Sequence, residues 1–108
     1  MLKTAFEQAL RLFNQHDYTA VVHACLPQQQ HPMFKLLLAT AYGKLSQFTE
    51  AEQLFLQLQQ QYPANLDVLF NYALVLKLQQ RLTEAQLLLD QCLKLNSQYH
   101  PAHHALAG

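Results

Sequence analysis

Three histidines near the C-terminus, His100, His103 and His104, have the spacing most suited to chemistry in this 108-residue chain. Residues three and four apart share one face of a helix, so two of these imidazoles could meet at a metal ion. No cysteine or carboxylate stands near them in sequence. An exposed helix end is therefore expected, with no metal and no other cofactor. The two cysteines, Cys25 and Cys92, are 67 positions apart, each inside an apolar stripe. Thiols in such stripes pack as small hydrophobes, so both are expected to be free and buried. His16, His23 and His31 are scattered over turns and polar faces and suggest no joint role.

Signatures of catalysis are missing. The sequence has no Gly-rich phosphate loop, no nucleophile elbow and no paired metal-binding His motif, so no catalytic residue is expected in this chain. Seven basic residues balance seven acidic ones, and only 13% of residues are charged. Such a chain has no net field to gather nucleic acid or an anionic membrane, and neither is expected as a partner. No apolar run approaches the ~18 residues of a spanning helix, and no signal-like segment opens the chain. The cytoplasm is the default compartment. Gln28-Gln29-Gln30 and Gln59-Gln60-Gln61 fall at helix ends and read as solvated connectors.

What positions these residues is a repeat. Phe48-Thr49-Glu50-Ala51 and Leu82-Thr83-Glu84-Ala85 share one pattern 34 residues apart, and Tyr18-Thr19-Ala20-Val21 is a weaker copy 30 residues earlier. Small residues recur upstream at Ala9, Ala39, Ala73 and Ala107, at offsets of 30, 34 and 34. Each unit has two apolar stripes of helical period around a short polar break. In the middle unit the first stripe is Phe34, Leu37, Leu38, Ala41, Tyr42 and Leu45; the second is Phe48, Ala51, Leu54, Phe55, Leu58 and Tyr62. The third unit repeats them with Val68, Leu69, Tyr72, Ala73, Val75 and Leu76, then Leu82, Ala85, Leu88, Leu89, Cys92 and Leu95. Thr49 is the expected start of one helix and Pro63 its stop. Alanine recurs because two helices joined by a tight turn must approach closely, which predicts that Ala39 faces Ala51.

These residues resemble the tetratricopeptide repeat family, most closely over the unit that starts at Pro32. Tyr42 stands at the family's large position, Ala39 and Ala51 at its small ones, Phe55 at its second-helix aromatic and Pro63 at its terminal proline. The third unit carries Ala73, Leu76, Ala85, Leu89 and Cys92 at matching places, with Ser97 where the proline is expected. The first unit matches least: Val21 replaces the small residue, and Pro27 should shorten the second helix by about a turn. Ser46 and Gln80 replace the turn glycine, which predicts strained turns. Lys35 and Leu69 replace the signature's first residue.

The resemblance implies an all-α fold, a right-handed superhelical stack of antiparallel helix pairs. It divides the chain into one domain of about three units, 2–31, 32–65 and 66–99, followed by a C-terminal helix over 100–108. That last helix reads either as a cap or as the start of a further unit cut from a longer chain. First helices would line a concave groove bearing Lys3, Phe6, Leu10 and Phe13, then Met33, Leu36, Thr40 and Gly43, then Asp67, Phe70, Leu74 and Lys77. Seven of these twelve are large and apolar, more than a solvated face needs, which points to an interaction surface. Some relatives clamp a peptide's terminal carboxylate with Lys, Arg and Asn; here those places hold Phe6, Leu10, Leu37 and Asp67, and only Asn71 agrees. The expected function is a scaffold binding a protein or peptide segment in an apolar groove. Two alternatives stay open: a recruitment or dimerisation domain of a larger enzyme such as a transferase, and a self-associating homodimer.

Overall fold

The computed structural model describes residues 2–99, and every regular element among them is helical. The order is α1 (Leu2–Asn14), α2 (Tyr18–Cys25), a 3-10 turn (Leu26–Gln28), α3 (Pro32–Lys44), α4 (Phe48–Gln61), α5 (Leu66–Leu78) and α6 (Leu82–Leu95). The all-α architecture of helix pairs expected from the repeat is thus formed. His100, His103 and His104, together with the expected C-terminal helix, lie outside the described residues.

The recurring sequence pattern is a recurring turn. His16, Ser46 and Gln80 have φ of 64°, 63° and 63°, in the left-handed region. Each donates its N–H to the carbonyl three residues back, on Phe13, Gly43 and Lys77, at 3.0, 3.1 and 3.0 Å. The following residue donates to the carbonyl five back, on Leu12, Tyr42 and Leu76, at 3.0, 2.9 and 3.0 Å. This paired closure is the Schellman motif, which satisfies the last carbonyls of one helix while reversing the chain. Glycine suits it because a Cβ in that region costs on the order of 1 kcal/mol. The left-handed turns expected at Ser46 and Gln80 are present, and His16 adds a third that the sequence reading did not name.

Helix starts are less uniform. Asp17 caps α2, its Oδ1 accepting from the Ala20 N–H at 3.3 Å, and Asn65 caps α5, accepting from Val68 at 3.1 Å. Arg81 precedes α6 without capping it and ion-pairs with Glu84 in the first turn, Nε to Oε1 at 2.9 Å. The guanidinium holds the Glu84 carboxyl below its ordinary range. α3 opens on Pro32, where a missing N–H costs nothing. α4 starts at Phe48, one residue before Thr49.

The chain divides into two compact units, Met1–Leu58 and Gln59–Gly108, with the boundary in the last turn of α4. In the first, α2 packs against both α1 and α3. Ala9, Val21, Cys25, Leu38, Ala39, Ala51 and Phe55 are fully buried there. Burying a side chain such as Leu38 or Phe55 contributes roughly 1.5–3 kcal/mol. Lys35 Nζ reaches from α3 to Gln57 Oε1 of α4 at 3.1 Å. α2 has 8 residues where α4 and α6 have 14, a shortening of nearly two turns against the one expected. Pro27 lacks the N–H that a continuing helix needs, so the chain tightens into the 3-10 turn.

In the second unit α5 packs along α6, with Ala73 and Ala85 both buried. Leu69, Leu76, Leu89 and Cys92 complete its core, and Cys92 Sγ lies 3.9 Å from the Leu66 carbonyl. Both cysteines are free and buried. Burial raises the Cys25 thiol to about 11 and the Cys92 thiol above its ordinary value, so neither is a ready nucleophile near neutral pH.

Candidate interaction surface

In the first unit, the beginnings of α1 and α3 bring two aromatic rings together. Phe6 and Phe34 meet edge to face, centroids 5.3 Å apart and planes at 74°. Beside them opens a cleft of about 440 Å³ lined by Lys3, Phe6, Glu7, His31, Pro32, Met33 and Phe34. Phe34, 3% exposed, is anchored in the core, whereas Met33 is 62% exposed. The His31 ring lies 6.2 Å from that of Phe34. Lys3 and Glu7 are four residues apart on α1 and therefore share its face.

The remaining expected positions of this unit divide. Leu10 is exposed and Leu36 half-buried. Phe13 is half-buried and packs edge to face on Tyr18 of α2, centroids 5.3 Å apart. The Tyr18 hydroxyl in turn lies 2.7 Å from His16 Nδ1, so part of Phe13 serves the α1–α2 turn. Thr40 corrects the sequence reading: it is buried, and its hydroxyl donates to the Leu36 carbonyl at 2.9 Å. A short hydroxyl inside a helix commits its one hydrogen to its own backbone, so it has no proton left to donate to a ligand. Gly43 is buried as well.

In the second unit, Asp67 is exposed, and Phe70, Leu74 and Lys77 are half-buried. Phe70 meets Tyr99 edge to face, centroids 5.7 Å apart and planes at 84°. Burial, with the negative charges of Asp67 and Cys92 behind it, pushes the Tyr99 hydroxyl above its ordinary value. Asn71 donates its Nδ2 to the Asp67 carbonyl at 2.8 Å, a bond within α5.

Sequence reasoning named Lys3, Phe6 and Met33 for this surface and missed Glu7, His31, Pro32 and Phe34. Helical period marks faces, and it does not show that one helix's start stands beside another's. Phe34 read as core, and His31-Pro32 read as a break. A lone signal for Glu7 was its spacing from Lys3. Among the described residues, no group of three or more His, Cys, Asp or Glu is placed to hold a metal ion. No described helix is long and apolar enough to cross a membrane.

Helices closed by recurring Schellman turns, with Ala39, Ala51, Ala73 and Ala85 buried, give the chain the fold of a tetratricopeptide-repeat domain. Solved structures agree. The first TPR domain of the human RPAP3 protein, determined by NMR, superposes with a TM-score of 0.87, covering 99% of this chain and 87% of that one at 19% identity. The first TPR of Spaghetti (RPAP3), bound to the HSP90 peptide SRMEEVD, gives a TM-score of 0.83, covering 96% and 86% at 18% identity. No family model matches the chain. No curated protein sequence matches it either.

Proposed function

We propose that this domain is a scaffold for protein–protein interaction that holds a segment of a partner against its first helices, and that its role is binding, not catalysis. The observation that carries this reading is the open apolar cleft of the first unit, where Met33 stays mostly exposed beside two aromatic rings. Large apolar side chains in water beside a cleft are what a binding surface requires and a solvated helix face does not. The peptide carried by the Spaghetti domain supports the idea that this fold can hold one.

Peptide display against the whole chain tests it. Met33→Asp serves as counter-selection, since an acidic residue in the first turn of α3 suits the helix and should leave the fold intact. Enriched peptides that bind the parent chain and not the variant are the expected result. Failure to enrich any peptide would sink the scaffold reading; enrichment unaffected by the variant would move the surface elsewhere.

A further inference from the structure

We draw no further inference here: the strongest candidate, the apolar cleft at the starts of α1 and α3 lined by Phe6, Met33 and Phe34, belongs to the site already described, and nothing in the structure shows what covers it.

Discussion

Phe6 and Phe70 occupy the same place in their repeats, and the two units use them differently. The offsets that separate Ala9, Ala39 and Ala73 also separate Phe6, Leu36 and Phe70. Each phenylalanine is half-buried and meets one aromatic ring edge to face. For Phe6 that ring is Phe34, a core residue of a later helix, and a cleft opens alongside. For Phe70 it is Tyr99, which lies beyond the end of α6 and returns onto α5. The two phenylalanines thus share a place in the repeat, and the segment that follows decides whether a cleft stays open beside it or its own chain packs over it.

The largest test of this contrast is to remove the floor of the cleft. Phe34→Ala deletes a ring that is 3% exposed and is expected to cost about 3–5 kcal/mol. Phe70→Ala deletes a half-buried ring and should cost less, about 1–2 kcal/mol. Urea denaturation compares the two, provided the slope stays constant. Equal losses would mean that the floor and the covered face do not differ as described.

Next in size is the cover itself. Tyr99→Ala should cost about 0.5–1.5 kcal/mol, the worth of an aromatic pair beyond its area. It should also uncover Phe70, so that N-acetyl-phenylalaninamide is expected to shift the Phe70 NMR resonance in the variant and not in the parent protein. No gain of binding would show that Tyr99 packs on Phe70 without occluding it. The hydroxyl offers an independent check. Because its value is raised in the folded state, the neutral form is favoured there, and its contribution is complete below the ordinary tyrosine value of 10.0. That contribution is lost as pH rises through the folded value. Phenolate absorbance should show Tyr99 titrating later than an exposed tyrosine. Asp67→Asn, which removes one of the negative charges holding the proton on, should bring the titration to lower pH.

Much of the fold was legible because the packing requirement repeats. A methyl at Ala51 and at Ala85, 34 residues apart, has a strong steric reason, and both positions are buried. Legibility fell at helix ends. Tyr62, Leu82 and Leu95 continue apolar stripes yet are 40%, 56% and 49% exposed, since a first or last turn has a neighbour on one side only. The surface was read less completely than the core. Thr40 has the right register for an open face but closes on its own backbone. The cleft depends on His31 and Pro32, residues whose types announce a break and whose neighbours come from another helix. Tyr99 gave no periodic signal at all.

The smallest effect separates the turns themselves. Ser46 and Gln80 are exposed and hold φ of 63° without glycine, so Ser46→Gly or Gln80→Gly should relieve the strained Cβ. Glycine also loosens the unfolded chain, which offsets part of the gain and leaves about 0.5–1 kcal/mol of added stability. His16 sits at the same φ, yet its Nδ1 lies 2.7 Å from the Tyr18 hydroxyl, and its ring lies 5.8 Å from that of Tyr18. Removing that side chain forfeits a hydrogen bond worth about 0.5–1.5 kcal/mol, so His16→Gly should bring no gain or a slight loss. Thermal or urea unfolding of the three variants side by side measures the difference. Equal stabilisation at all three would mean that the His16–Tyr18 contact adds nothing. The first turn would then tolerate its histidine for no better reason than the others tolerate serine and glutamine.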